Sequence, residues 1–531
     1  MSNFRQILKE IGEFDLFQKL LVIALCIPGM FSGFDTISQV FIGMSFPHHC
    51  NTDWILKRGP NMTEEEQQNL TLPVNEDGSF ESCKMFTPVE WNLETIEASG
   101  INSTTGCSDG WHYETPKGAS SILTEFHLVC DKSRFIEISQ SVNMAGIFFG
   151  VLVFGTISDR FGRRRAILLS LLLQVLFGLA VALSPNIYAY IVFKFFCGVS
   201  GSAIMISLSV LAIEWTIPLR AATCTTLLMT SYCMGLMALS GIAYSIQNWR
   251  ILQLVLVGPL VLVLGVFYCF IPESACWLIS QGRKEEALKV LQRAAQANGR
   301  TVTEDLLDSL EIEDSPHTGN ILNIFRIPYL RKRVLIMSVT WFASSFLYYG
   351  LSFNVGSFGV NIYLTQFIFG VAEFPANFIS LILIQYLGRR ISQAGFLMFG
   401  GVACLIILAI PKVLPVAITI IAVLGNFGAA ASFSIAYVYS AELYPTVVRS
   451  NGVGLNSMCA RVAGVLSPLV RLLEVFHDTI PMLVYGIIPI VAGGLCLLLP
   501  ETLNVELEDH PELKKPTTGY KLKRHTSDQR I

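Results

Sequence analysis

Charge is what this chain has least of. Only 15% of its 531 residues are Asp, Glu, Lys or Arg, against roughly 25% in soluble proteins. The hydrophobic share is 52% and the mean hydropathy +0.54, which excludes an ordinary soluble chain of this length. The formal net charge of −3 gives no electrostatic case for a nucleic-acid partner. No G-x-x-x-x-G-K-[ST] loop is present, so nothing points to ATP hydrolysis. Nucleophile elbows, triad signatures and HExxH helices are also missing, and no enzyme is expected. No CxxC pair or His-rich tract argues for a metal, and no cofactor is expected.

What is present is a repeat. Apolar runs end in Gly155-Thr156-Ile157-Ser158-Asp159-Arg160-Phe161-Gly162-Arg163-Arg164 and again in Gln385-Tyr386-Leu387-Gly388-Arg389-Arg390, so that Gly388 follows Gly162 by 226 residues. Glu442 follows Glu214, and Pro500 follows Pro272, by 228 each. Three marks at nearly one offset imply two related halves. Runs of about 20 residues, enough to cross a bilayer core, fall near 20–41, 138–157, 166–184, 188–212, 221–246 and 251–271. A second set falls near 334–355, 361–386, 391–410, 415–440, 450–473 and 481–499. The expectation is an all-α membrane protein with twelve helices in two six-helix bundles, embedded in lipid. Bundles flanking a midplane cavity can rock, and secondary transporters work that way.

Positive residues stay in the cytoplasm. Arg160, Arg163, Arg164, Arg165, Arg220, Arg389, Arg390 and Arg449 all follow even-numbered spans, whereas the opposite connections are poorer in cations. Both termini are therefore expected in the cytosol, and the N-terminus carries no cleavable signal pattern. This gives a cytosolic segment 1–19, a first bundle 20–271, a cytosolic helical linker 272–333, a second bundle 334–499 and a cytosolic tail 500–531. Within the linker, Arg283 to Asn298 has helical spacing, with Ala287, Leu288, Leu291 and Ala294 on one face. The basic tail residues Lys514, Lys515, Lys521, Lys523 and Arg524 read as solvated or lipid-facing.

The long loop 47–131 is expected outside. It holds three N-x-S/T sequons, at Asn61, Asn69 and Asn102, and four cysteines, Cys50, Cys83, Cys107 and Cys130. Glycosylation and two disulfides fit an oxidising compartment, with three pairings open.

These residues resemble a known family. G-x-x-x-D-R-x-G-R-R after span two, its echo after span eight, and Pro272-Glu273-Ser274 followed by Trp277-Leu278 resemble the major facilitator superfamily. Pro47-His48-His49-Cys50 opening the cysteine-bearing loop, Asn248-Trp249-Arg250, Tyr348-Tyr349-Gly350-Leu351 and Glu442-Leu443-Tyr444-Pro445-Thr446 are similar to the solute carrier 22 family, from about residue 5 to 507. The resemblance implies a plasma-membrane transporter working by alternating access. Cys459-Ala460-Arg461-Val462-Ala463-Gly464 resembles the organic anion branch, where an arginine stands at this place. Spans seven and eleven point toward its urate- and nicotinate-handling members. An intramembrane cation costs roughly 2.5–3.5 kcal/mol on insertion scales and so faces a cavity or a counter-charge. A guanidinium also grips a carboxylate through paired hydrogen bonds.

By the same resemblance Tyr232, Tyr348, Tyr349, Phe433 and Tyr437 line the cavity, since planar organic ions bind by stacking as well as charge. Asn377 stands where many anion transporters carry a second cation, which favours a monoanion. Asp35 in span one is expected as a partner for Arg461, a proton carrier coupling uptake to pH, or a structural acid. Glu373 is another expected partner for Arg461. Lys194 is expected to neutralise helix ends, and Arg471 and Glu474 to pair locally. Asp159, Arg163, Glu214, Arg220, Glu442 and Arg449 are expected as a charge latch holding the outward-facing state, weakened where Cys276 replaces the arginine usual in the family. At roughly −60 mV an anion entering alone is excluded about tenfold, so uptake needs a counter-anion or a cotransported cation. Two alternatives stand beside this: a carnitine-like cation or zwitterion carrier, and a receptor-like protein that binds without turnover.

Overall fold

The computed structural model describes residues 2–75, 78–301, 321–445 and 448–503; the basic tail and Thr446 lie outside them. Among the described residues twelve long helices follow the apolar runs. In the first half they are Leu16–Ile37, Arg134–Phe161, Arg163–Ala182, Ile187–Glu214, Pro218–Ser245 and Trp249–Phe270. In the second they are Pro328–Phe353, Ile362–Tyr386, Arg389–Ala409, Pro415–Leu443, Arg449–Arg471 and Ile480–Cys496. They are spans one to twelve below. Among the described residues ten of them, spans one to ten, are long and apolar enough to cross a membrane. Span twelve has 17 helical residues. Span eleven is less apolar because Asn451, Asn456, Ser457 and Arg461 interrupt its apolar sequence, which is the composition of a helix that faces a polar interior.

The repeat in sequence is a repeat in packing. Spans two and four, three and four, three and six, one and five, and one and four pack in the first half. Spans eight and ten, nine and ten, nine and twelve, seven and eleven, and seven and ten pack in the second. The halves meet along two equivalent seams, span two with span eleven and span eight with span five. The tight approach of spans two and four needs glycine: a Cβ on Gly146 would lie 2.1 Å from the Phe195 carbonyl oxygen, and one on Gly198 2.2 Å from that of Asn143.

Each half carries the same corner. Gly162 (φ +102°) ends span two and Gly388 (φ +86°) follows span eight, a conformation that side chains disfavour. Glu273 accepts from the backbone amides of Arg163 (2.8 Å) and Arg164 (3.1 Å) at the start of span three. Glu501 accepts from those of Arg389 (2.8 Å) and Arg390 (3.1 Å) at the start of span nine. A carboxylate there satisfies orphan amides and meets the positive end of the helix dipole.

The loop after span one forms a small folded unit. His48–Cys50 pairs antiparallel with Trp111–Tyr113, and Lys84–Phe86 with Thr104–Gly106. Of the three open pairings, the structure has Cys50–Cys107 and Cys83–Cys130, and Asn61, Asn69 and Asn102 reach the surface. The unit is fastened to the first half by Asn248-Trp249-Arg250. Trp249 Nε1 donates to Glu125 at 2.7 Å, Arg250 pairs with Glu125 and donates to the Ser184 carbonyl, and Asn248 caps span six. The side of the molecule bearing this unit is the loop face; the opposite side is the linker face.

On the linker face the expected helix spans Lys284–Ala297, with Ala287, Leu291 and Ala294 buried as its spacing predicts. A helix at Ser2–Ile11 was not foreseen, and it buries Ile7, Leu8 and Ile11. Asn298 ties the two together, donating to the Ile11 carbonyl (2.9 Å) and accepting from the Phe17 amide (2.8 Å). Arg300 pairs with Asp15 at 3.0 Å.

Candidate functional site

The two seams determine where a cavity can open. On the loop face Phe41 of span one's short continuation (Gln39–Ile42) stacks on Tyr363 of span eight at 5.4 Å, and Tyr244 of span five meets the same ring edge-on at 5.6 Å. Arg471 and Glu137 pair across the halves at 3.3 Å. A step deeper, Tyr349 packs against Gly464, which also neighbours Met144, and Cys233 donates to Glu373 at 3.6 Å. The hydrogen bonds, ring pairs and ion pairs that join the halves among the described residues all lie at this depth or nearer the loop face. Toward the linker face, Gly454 has open space around it and Met229 is exposed. The contacts named above close the seams on the loop face.

Arg461 lies one helical turn from Gly464 on the linker side of that closure. It is half-buried, and its Nε is buried without an acceptor. No carboxylate among the described residues pairs with it. Tyr349 and Tyr437 lie within electrostatic reach of its charge, and the guanidinium lacks an anion.

The aromatic candidates divide into two groups. Phe433 and Tyr437 of span ten pack on each other (5.6 Å) and on Trp341 of span seven at 5.6 and 4.4 Å. Trp341 is fully buried and donates to Ser440 at 2.8 Å; it fixes the pair from behind and went unnoticed in the sequence because its only signal is a tryptophan in an apolar run. Tyr348 and Tyr349 meet edge-on at 5.2 Å, and Tyr349 stacks on Phe353. Tyr232 lies near Thr36 in its own half and near Tyr348 across the halves. Asn377 is a neighbour of span ten instead of a free group, since its side-chain oxygen accepts from Ser434.

Three charge expectations need correction. Asp35 pairs with Lys194, not with Arg461: the two are 3.7 Å apart, with side chains 7% and 1% exposed. Lys194 also donates to Ser38 at 3.5 Å, so it neutralises a buried acid, not helix ends. Glu373 accepts from Asn426 (3.3 Å) and Cys233, both uncharged, with Tyr348 nearby, and it is not held by Arg461. The local Arg471–Glu474 pair exists at 3.6 Å, but the shorter approach is the one to Glu137.

The linker-face charges form clusters within each half. Arg163 pairs with Glu214 (2.9 Å) and Asp159 (3.0 Å) in the first. Arg389, not Arg449, pairs with Glu442 (2.9 Å) in the second, while Arg449 donates to the Tyr444 carbonyl at 3.4 Å. Arg220 is exposed and pairs with no carboxylate among the described residues. None of these ion pairs crosses between halves. Trp277 Nε1 donates to the Asp159 carbonyl at 2.7 Å.

Two pseudo-symmetric bundles around a central site, one seam side closed, define a transporter of the major facilitator fold. A family profile described as "Sugar (and other) transporter" matches residues 100–513. The inward-open xylose transporter XylE of E. coli shares the fold, with TM-score 0.60 at 14% identity over 92% of this chain and 98% of that one. Human solute carrier family 22 member 13 is 42% identical over 98% of this chain and 96% of its own length. Rat solute carrier family 22 member 6 is 36% identical over 97% and 95%, and rabbit organic anion transporter 3 is 36% identical over 96% and 92%. This chain belongs to the solute carrier 22 family. It is a multi-pass membrane transporter, not an enzyme.

Proposed function

We propose that the protein moves small organic monoanions, of the nicotinate, urate or aromatic monocarboxylate kind, by alternating access and exchange for an internal anion. The observation that carries this is Arg461, a half-buried guanidinium within electrostatic reach of Tyr349 and Tyr437 and with no carboxylate partner among the described residues. A cation held there at energetic cost is best compensated by the substrate. The name of the rabbit relative, an organic anion transporter, supports the same class. Asp35, on which a cation reading would depend, is already occupied by Lys194. Exchange follows from voltage: one cationic site serves an incoming and an outgoing anion in turn, and the pair crosses without net charge.

The proposed setting is the plasma membrane with both termini, the linker 272–333 and the tail 500–531 in the cytosol. The loop face, with its two disulfides and surface sequons, is then extracellular, and the linker face is cytosolic. Uptake into proteoliposomes of labelled nicotinate, urate, p-aminohippurate, carnitine and a quaternary ammonium tests this. Anion uptake stimulated by preloaded anion is the expected result. Uptake of the ammonium alone would overturn it, and binding without uptake would favour a receptor.

A further inference from the structure

Among the described residues one ion pair joins the two halves, and it sits at the mouth of a seam. Glu137 lies in the first turn of span two, and Arg471 is the last helical residue of span eleven. Their side chains are 15% and 32% exposed and 3.3 Å apart. The same guanidinium lies 3.6 Å from Glu474, which belongs to its own half. Arg471 therefore has two carboxylates within reach, one across the seam and one three residues along its own chain.

We infer that Arg471 is a switching latch on the loop face: it bridges to Glu137 when that face is shut and transfers to Glu474 when it opens. This rests on the alternating-access reading and adds the residues that bias it. Opening the loop face must separate the ends of spans two and eleven, because those ends form the seam. An arginine left without any acid would bear the full cost of that separation; Glu474 keeps it paired and so lowers the cost of opening. Separating a partly desolvated ion pair costs more than separating an exposed one and less than stranding a member of a buried one, which suits a contact that must break in every cycle. The aromatic seal of Phe41, Tyr244 and Tyr363 closes the other seam by apolar contact, leaving charge to set the balance at this one.

The test uses the full-length protein in cells with Val465→Cys as reporter, since Val465 packs in the closed seam. A membrane-impermeant maleimide is applied to the loop face, with the chain lacking Val465→Cys as background. Glu137→Gln and Arg471→Gln are each expected to speed labelling about fivefold, and the double variant no more than either alone. Glu474→Gln should slow it, because it removes the competing acid. Additive effects of the two single variants, or labelling at the wild-type rate in both, would overturn the latch. Anion uptake is measured in parallel: a wild type that takes up no anion counts against the proposed function, whereas unchanged labelling overturns the latch whether or not uptake occurs.

Discussion

Asp35 of span one and Lys194 of span four form an ion pair buried inside the first half, 3.7 Å apart. Tyr190, which donates to Gln39, and Cys197 feel the Asp35 charge, and Gly201 leaves room beside its carboxylate. Removing one member of a buried pair strands the other and costs about 3–5 kcal/mol.

Asp35→Asn should therefore lower the amount of folded protein, and adding Lys194→Met should restore it, as measured by thermal unfolding in detergent. If the pair also exchanges protons during transport, the restored double variant takes up anion with no dependence on external pH. Uptake that kept the wild-type pH dependence would remove Asp35 from coupling.

The two corners should fail alike. A Cβ at Gly162 would stand 2.4 Å from Glu273 Oε2, and one at Gly388 2.5 Å from Glu501 Oε2. Gly162→Ala and Gly388→Ala are each expected to cost about 1–3 kcal/mol from the backbone conformation alone. Matching losses of melting temperature support equivalent halves; a loss confined to one would contradict it.

The loop unit carries its own pH signature. Burial works against the charged form of Glu125, but hydrogen bonds from Arg250 and Trp249 outweigh it and hold the carboxyl below its ordinary value of 4.5. The stability this contributes is complete above that value and is lost as pH falls through the lower, folded-state value. Limited proteolysis of the loop unit should stay slow through mild acid and quicken in stronger acid. Glu125→Gln should quicken it at neutral pH and flatten the acid response.

Asn377 bears on substrate charge. Its side chain accepts from Ser434 beside the span ten aromatics, and Asn377→Lys would place a second cation next to them. Dicarboxylate uptake is expected to rise about tenfold relative to monocarboxylate, the scale of one charge-assisted hydrogen bond. Competition assays that leave the ratio unchanged would place Asn377 outside the site.

Spans were legible because apolar runs of fixed length have few alternatives, and the repeat because Gly162 and Gly388, Glu214 and Glu442, and Pro272 and Pro500 keep one spacing. Arg461 was legible because a cation amid apolar residues needs a reason. That no carboxylate among the described residues pairs with it was not, since pairing depends on which helices face each other. The sequence shows Asp35, Glu373, Lys194 and Arg461 as four charges without partners; only the packing of spans one and four joins Asp35 to Lys194. Trp341 was invisible for a related cause, because a buried ring and a cavity ring share one hydrophobic signal.

The most direct measurement is uptake of a labelled aromatic monocarboxylate by Arg461→Ala and Arg461→Lys, at matched surface expression, beside a quaternary ammonium. The account predicts anion uptake reduced at least about tenfold in Arg461→Ala, since a charged hydrogen bond is worth roughly 1.5–3 kcal/mol, with partial recovery in Arg461→Lys. Anion uptake by Arg461→Ala at the wild-type rate would contradict it.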